Sequence, residues 1–288
     1  MAVELSTPDV DGLDDVVLAL RAWQDDATPV QLHHGDLGWH WRFGATATAA
    51  AVRTWSRDGD LLAVGFLDGE DVLRVTVAPT VWRDDELAEQ VASDVSRPSR
   101  GVLPSGRVSV ESPDGTRLRD VLRYAGWSDG EGWTPLRRDL GAVVEEPGLR
   151  VEVVEPDHES EFTAVHRAAW GTPRFTDDLW RTMAAGLAYS DARCLLGRDR
   201  MGVAVAGVTV WSAGPGRPGL LEPMGVHPDH RGRGYGRAIC LAAAAELRRL
   251  GSSSALVCTP TALVPAVATY ESAGFRRLPE RFDLTRTV

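Results

Sequence analysis

Apolar and polar positions alternate most regularly in the second half of the chain. Valine alternating with charge predicts a strand over 149–154, and Asp157 is suited to cap a helix that continues to Trp170. The pattern then predicts a helix over 176–189, strands over 193–198, 203–211 and 220–226, a helix over 234–250, a strand over 254–259, a helix over 264–273, and a closing strand or hairpin over 275–284. Because proline cannot donate to a strand ladder, Pro223 predicts an edge strand or a distorted pairing. The order predicts one mixed sheet with helices on both faces.

The first half carries a fainter version of the same order. Strands over 61–67 and 72–78 form a predicted hairpin, followed by a proline-containing loop and a helix that ends near Val95. Between the halves, the glycine- and proline-containing segment 141–148 has the composition of a linker. These patterns predict an α/β protein of two domains, over 1–141 and 149–288, each a mixed, mostly antiparallel sheet flanked by helices.

Charge distinguishes the two halves. All 31 basic residues are arginine, so a lysine Schiff base and a lysine-dependent phosphate loop are excluded. The net charge of −10 argues against a general nucleic-acid binder. Residues 1–148 carry a net charge of −12 and residues 149–288 carry +2. The second half is therefore the better candidate for an anionic cofactor.

Cysteine usage and the chain start indicate the compartment. Cys194, Cys240 and Cys258 form no Cys-x-x-Cys pair, which argues against a disulfide framework. The start has no basic segment followed by an apolar core, and no apolar stretch reaches the length of a membrane helix. We expect a cytoplasmic protein with neither a membrane nor a nucleic-acid partner.

A loop rich in glycine and arginine carries the clearest chemistry. Residues 226–237 read Val-His-Pro-Asp-His-Arg-Gly-Arg-Gly-Tyr-Gly-Arg, between a predicted strand and a long helix. Successive glycines let main-chain N–H groups converge, and the helix start adds partial positive charge. Arg231, Arg233 and Arg237 can add charge-assisted hydrogen bonds. The loop is therefore suited to a pyrophosphate.

Three kinds of phosphate loop were compared. A dinucleotide-binding loop needs Gly-x-Gly-x-x-Gly and an acidic residue about 20 positions later, and neither is present. A P-loop fails for lack of lysine. The pattern Arg231-x-x-Gly234-x-Gly236 fits the loop that binds acyl-coenzyme A. Together with residues 270–275, Tyr-Glu-Ser-Ala-Gly-Phe, it resembles the GNAT superfamily of acyl-CoA-dependent N-acyltransferases over about 149–288.

The resemblance implies a co-substrate and its site. The co-substrate is acetyl-CoA, with its pantetheine arm between the strand at Val226 and the strand over 254–259. A main-chain N–H near Val226 would polarise the thioester carbonyl. The cofactor-binding residues implied are Val226, Arg231, Gly232, Arg233, Gly234, Tyr235, Gly236 and Arg237. No metal is implied, and His227 and His230 are expected to contact cofactor or solvent.

Two residues are candidates for proton transfer. Tyr270 matches the family position that protonates the leaving thiolate, although a residue that only packs on the cofactor arm remains an alternative. Glu222, Met224 and Val226 alternate along one strand and so share a face. Glu222 is therefore the candidate base, with a surface carboxylate or a helix-cap partner as the alternative. His227 and His230 are further candidate bases by chemistry.

Some positions depart from the family or have structural explanations. Leu263 stands where the family often has an asparagine that contacts the cofactor, and Thr259 and Thr261 are the candidates to replace that contact. Cys258 is expected to be a buried apolar residue rather than a nucleophile. Four tryptophans of the first half are expected to pack rather than to bind a ligand: Trp23, Trp39, Trp41 and Trp55. The adjacent His33 and His34 are expected to be solvated.

The first domain is predicted to have lost the cofactor chemistry. Residues 122–127, Leu-Arg-Tyr-Ala-Gly-Trp, align with 270–275 and put Leu122 where Tyr270 stands. Asp84, Asp85 and Glu86 replace the glycine-rich loop, and carboxylates there repel a pyrophosphate. This domain is expected to support the fold or to wall the acceptor site.

The sequence therefore predicts an N-acetyltransferase that moves the acetyl group of acetyl-CoA to a primary amine by direct attack. The acceptor is a small molecule or peptide, and the acidic charge suits a cationic one. The alternative is a non-catalytic sensor that binds acyl-CoA. A homodimer is a family-level expectation only.

Overall fold

The computed structural model describes residues 2–156 and 158–287, so the predicted cap Asp157 lies outside the described residues. The strands are β1 (Glu4–Ser6), β2 (Val52–Arg57), β3 (Asp60–Leu67), β4 (Val72–Val77), β5 (Arg107–Glu111), β6 (Ser128–Asp139), β7 (Arg150–Val153), β8 (Ala192–Arg198), β9 (Ala204–Ser212), β10 (Gly219–Val226), β11 (Ser254–Pro260), β12 (Arg276–Arg277) and β13 (Arg281–Thr287). The helices are α1 (Leu13–Ala22), α2 (His34–His40), α3 (Ala45–Ala51), α4 (Asp85–Ser96), α5 (Arg117–Tyr124), α6 (Glu159–Trp170), α7 (Asp177–Ala184), α8 (Tyr235–Arg249) and α9 (Val264–Ser272).

The same strand topology occurs in both halves. In the first half, β2, β3 and β4 pair antiparallel and β4 then pairs parallel with β5. In the second half, β8, β9 and β10 pair antiparallel and β10 then pairs parallel with β11. A helix, α4 or α8, crosses between the two parallel strands. The predicted class, α/β with a mixed and mostly antiparallel sheet, is confirmed.

The two halves exchange strands at their junction. The C-terminal strand β13 lies between β5 and β6, with Leu284 opposite Val110. In turn, β11 pairs along its length with residues 133–139 of β6, where Leu256 lies opposite Arg137. The described strands therefore form one continuous sheet. Residues 141–148 link β6 to β7 without helix or strand, but the division into domains at that point stays a prediction.

Each half buries apolar side chains of its own. In the second half, the alanine-rich α8 packs on β9, β10 and β11, and Leu241 and Leu247 are fully buried. Small side chains on that face let the helix approach the sheet closely. In the first half, α4 and α5 pack on β3, β4 and β5 around Trp55 and Leu122. None of the helices in residues 2–156 and 158–287 combines the length and apolar character that a membrane crossing requires.

The structure settles two local predictions. Of the two alternatives at Pro223, the distorted pairing is correct: β10 is an interior strand, and its register shifts between Leu221 and Met224. The helix predicted over 176–189 ends at Ala184, and a separate 3₁₀ turn follows. Gly186 lies between them, where an added Cβ would stand 2.6 Å from the Trp41 ring.

The prediction that His33 and His34 are solvated is wrong. Both are buried where α2 packs against the second half. The Nδ1 of His33 accepts from the N–H of Gly35 at 3.0 Å, and Asp36 accepts from the N–H of His33 at 2.6 Å, so the pair caps α2. Burial lowers the pKa of His33 to about 3, and the imidazole is neutral at physiological pH.

Candidate active site

A cleft of about 1080 Å³ opens between β10 and β11 and continues to the first half of the chain. The two strands pair only at Gly219 with Ala255 and Leu220 with Leu256. Beyond that point the bulge in β10 carries the strands apart. The gap lies where the sequence places the pantetheine arm, between the strand at Val226 and the strand over 254–259.

Glycines shape the loop at the mouth of the cleft. Gly232 and Gly234 have φ of +75° and +82°, which side chains other than glycine rarely adopt. An added Cβ on Gly236 would stand 2.8 Å from Cγ2 of Thr269, so glycine lets α8 approach α9. The N–H groups of the first helical turn have no partner within the helix and are available to an anion.

The three arginines of the loop differ in their surroundings. Arg231 donates to the main-chain oxygens of Ala169 at 2.8 Å and Val226 at 3.3 Å. Arg237 donates to the main-chain oxygen of Ser272 at 2.9 Å. These two guanidiniums therefore stabilise the conformation of the loop and also give it positive charge. Seven of the eight predicted cofactor residues line the cleft: Val226, Arg231, Gly232, Gly234, Tyr235, Gly236 and Arg237. The eighth, Arg233, does not line it.

The histidines of the loop have a structural role. The Nδ1 of His227 accepts from the N–H of Asp229 at 3.3 Å and caps a short 3₁₀ turn. His230 lies beside it, with the two ring centroids 5.4 Å apart. Within residues 2–156 and 158–287, no three His, Cys, Asp or Glu side chains are arranged to hold a metal ion.

Tyr270 lies on the cleft wall formed by α9. Its side chain is 7% exposed and meets Phe275 edge to face. Burial raises the pKa of the phenol, so the hydroxyl keeps its proton at neutral pH. Cys258, on β11, lines the same cleft, and burial raises the pKa of its thiol. The thiol is therefore protonated, in keeping with its expected apolar role.

Glu222 lies in the cleft at the bulge of β10. Its main-chain oxygen accepts from the indole Nε1 of Trp211 at 2.6 Å. Burial and the nearby Asp36 raise the pKa of the Glu222 carboxyl to about 8, and Arg74 opposes them. The carboxyl is therefore mostly protonated at pH 7 and becomes a base as the pH rises through 8.

A buried charge cluster at the inner end of the cleft was not predicted. Arg74 donates to Asp36 at 2.7 Å and to Glu111 at 2.8 Å, and Arg281 pairs with Glu111 at 2.5 Å. Asp283 accepts from the Trp133 indole at 3.0 Å. Asp36, Arg74 and Glu111 come from α2, β4 and β5 of the first half, and the strand exchange brings Arg281 and Asp283 of β13 beside them. One signal was available, since a charge in an apolar strand such as 72–77 is unusual.

An aromatic group lines the side of the cleft. The rings of His166 and Trp170 stack with centroids 4.2 Å apart, and Trp39 lies 5.3 Å from His166. Trp39 packs against apolar side chains of the second half and also lines the cleft. Trp41 and Trp55 are buried as predicted.

At the start of α4 in the first half, a carboxylate of the chain itself caps the helix. Asp84 accepts from the N–H of Leu87 at 2.8 Å, where an external phosphate would otherwise bind. Arg57 donates to the same carboxylate at 3.0 Å. Leu122, at the position aligned with Tyr270, is fully buried.

Comparison with known proteins assigns the class. Residues 155–275 match the acetyltransferase (GNAT) family, and this segment of the chain is a GNAT domain. Across 95% of its length the chain is 27% identical to a mycothiol acetyltransferase of Propionibacterium freudenreichii subsp. shermanii, of which it covers 87%. The predicted family is thereby confirmed, and the predicted co-substrate, acetyl-CoA, agrees with it.

Solved structures agree at the level of the fold. A GNAT-family acetyltransferase from Colwellia psychrerythraea superposes over 100% of both chains with a TM-score of 0.63 and 14% identity. A tandem GNAT protein from the clavulanic acid biosynthesis pathway superposes over 99% of this chain and 98% of its own, with a TM-score of 0.62 and 13% identity. The fold over the whole chain is thus the tandem GNAT fold.

Proposed function

We propose that the protein is an N-acetyltransferase that transfers the acetyl group of acetyl-CoA to a primary amine by direct attack. The observation that carries the proposal is one cleft lined by the glycine-rich loop, Tyr270 and Glu222. The loop and the start of α8 bind the pyrophosphate, and the gap between β10 and β11 takes the pantetheine arm. This arrangement brings the thioester between the two proton-transferring side chains.

The reaction needs two proton transfers. The amine nitrogen attacks the thioester carbonyl carbon, and its excess proton passes to the Glu222 carboxylate. The oxyanion of the tetrahedral intermediate accepts a hydrogen bond from main-chain N–H near Val226. As the carbon–sulfur bond breaks, Tyr270 protonates the departing thiolate. The phenol is a suitable donor because burial keeps it neutral, and solvent then restores its proton.

The acceptor is an amine, and we infer that it is cationic in solution. Carboxylates outnumber guanidiniums in the inner part of the cleft, where Asp68, Glu111, Glu222 and Asp283 line it with Arg74 and Arg281. An excess of carboxylates favours an ammonium group over an anion. The relative named above makes the amine form of mycothiol, which lacks the acetyl group, the first acceptor to test.

The test is release of CoA thiol from acetyl-CoA with a panel of amines. The panel contains a polyamine, an aminoglycoside, a basic peptide and the amine form of mycothiol. We expect saturable turnover with at least one of them and an N-acetylated product by mass spectrometry. Binding of acetyl-CoA without turnover on any of these amines would contradict the proposal and favour the alternative, a non-catalytic sensor. Leu263 gives that alternative its support, since it lines the cleft but cannot hydrogen-bond a cofactor.

A further inference from the structure

Helix α2 of the first half is fixed against β10 of the second. An added Cβ on Gly35 would stand 2.5 Å from Cγ of Trp211, and one on Gly38 would overlap the same ring. Trp211 in turn donates to the main-chain oxygen of Glu222 at 2.6 Å. The next residue after Gly35 is Asp36. The indole thus connects the helix that carries Asp36 to the backbone of Glu222.

Asp36 is a buried carboxylate, and each of its two oxygens accepts a hydrogen bond. One oxygen accepts from the N–H of His33 at 2.6 Å, and the other accepts from Arg74 at 2.7 Å. The side chain is 2% exposed, so water does not compete for it. An ion pair and a main-chain donor together hold the carboxylate in one orientation. Arg74, the ion-pair partner of this carboxylate, lines the same cleft as Glu222, so Asp36 lies beside Glu222.

We propose that Asp36 is a positioning residue for Glu222, which it supplies from the first half of the chain. It accepts a hydrogen bond from the protonated Glu222 carboxyl and so helps to set the pH at which Glu222 becomes a base. Loss of that proton to solvent leaves the Glu222 carboxylate, which then takes the proton of the attacking amine. The proposal rests on the proposed function.

The other charges near Glu222 act in known directions. Asp68, at the turn between β3 and β4, favours the protonated form, and Arg74 opposes it. The titratable and charged groups facing Glu222 from the surrounding elements are Asp36, Arg42, Asp68, Arg74 and Tyr270. Asp36 is the carboxylate on the helix that packs against Trp211, and Arg74 is the cation of opposite effect. These two residues therefore give variants with opposite predictions.

The experiment measures kcat/KM against pH for the full chain, with the best amine of the panel. Asp36→Asn removes the like charge, and we expect the midpoint of the acidic limb to fall by about one pH unit. Arg74→Gln removes the cation, and we expect the midpoint to rise by about the same amount. Asp94→Asn is the matched control, since Asp94 is a buried carboxylate paired with Arg100 at 2.7 Å in the core of the first half. It should lower stability without moving the midpoint.

Two outcomes would overturn the proposal. One is a midpoint unchanged in Asp36→Asn, and the other is a shift in the same direction for Asp36→Asn and Arg74→Gln. If Asp36→Asn does not fold, Arg74→Gln and the carboxyl ¹³C titration of Glu222 in the wild-type protein carry the test. That NMR titration also separates the two proposals. If no amine is turned over, the proposed function fails, but a Glu222 carboxyl that titrates near 8 and moves in the variants still supports the positioning role.

Discussion

The indole of Trp211 donates a hydrogen bond of 2.6 Å to the main-chain oxygen of Glu222. Trp211 is fully buried on β9, and its partner stands at the bulge where β10 leaves β11. The bond satisfies a carbonyl that the distorted ladder leaves without a strand partner. Helix α2 packs on the same indole, so the shape of β10 depends on the first half of the chain.

Gly38→Ala tests this dependence. The added methyl overlaps the Trp211 ring, and overpacking of this kind costs about 1–3 kcal/mol. We expect that loss in denaturant unfolding, together with a lower kcat/KM because Glu222 shifts. Gly141→Ala is the control, since Gly141 is exposed and an added Cβ there would approach only the flexible side chain of Asp139, and a change within about 0.5 kcal/mol is expected there. Normal stability in Gly38→Ala would contradict the packing argument.

Gly236→Ala tests the close approach of α8 to α9. Its methyl would stand 2.8 Å from Cγ2 of Thr269 and would push the helix start away from the cofactor loop. We expect an increase of about tenfold or more in KM for acetyl-CoA, equivalent to about 1.4 kcal/mol of binding. Thr269→Ser removes the colliding atom, so the double variant should recover most of the loss. Absence of this rescue would mean that another contact requires the glycine.

Tyr270→Phe tests the proton donor. General acid catalysis contributes about 10²–10⁴-fold, so we expect kcat to fall by about 100-fold with little change in KM for acetyl-CoA. Tyr124→Phe is the matched control, since Tyr124 is 97% exposed on the first half. Steady-state kinetics across pH measure both variants. An unchanged kcat at every pH would assign Tyr270 to packing alone.

Glu222→Gln tests the base. In the wild-type protein the Glu222 carboxyl is protonated below a pKa of about 8, so kcat/KM should rise as the pH increases through that value. Glutamine cannot accept the proton, and the variant should lose about 100-fold at high pH together with this rise. If the rise survives in Glu222→Gln, it belongs to another group, such as the amine of the acceptor.

His166→Phe tests a buried imidazole. Burial lowers the pKa of His166 from 6.5 to about 4, so below pH 6.5 the unfolded chain binds protons that the folded chain does not. Stability therefore falls as the pH drops from 6.5 towards 4. Phenylalanine fits among Trp39, Trp170 and Phe175 without titrating, so the variant should keep about 2 kcal/mol more of its stability between pH 6.5 and about pH 4.5. Chemical denaturation at both pH values measures this, and equal losses in the two proteins would exclude His166 as the cause.

The local sequence pattern was sufficient to predict most helices and strands and the cofactor loop. The turns that glycine permits at Gly232 and Gly234, the helix that follows and the Tyr270 segment depend on neighbours within a few residues. Such features leave a periodic or compositional trace in the sequence. The hairpins and the crossover helices of both halves were predicted for the same reason. Asp36 and the buried histidines were missed because nothing in their local sequence reports the partner that buries them.

The sequence by itself determined the second-half topology, the anion-binding loop and the residue types that can transfer protons, because these follow from short-range spacing. Only the tertiary structure decided where the charges meet. The insertion of β13 between β5 and β6 carries Arg281 to Glu111, 170 residues earlier in the chain. The packing of α2 on Trp211 brings Asp36 to Glu222. Burial and like charge then set the proton affinity of Glu222, and neither is encoded by the residues beside it.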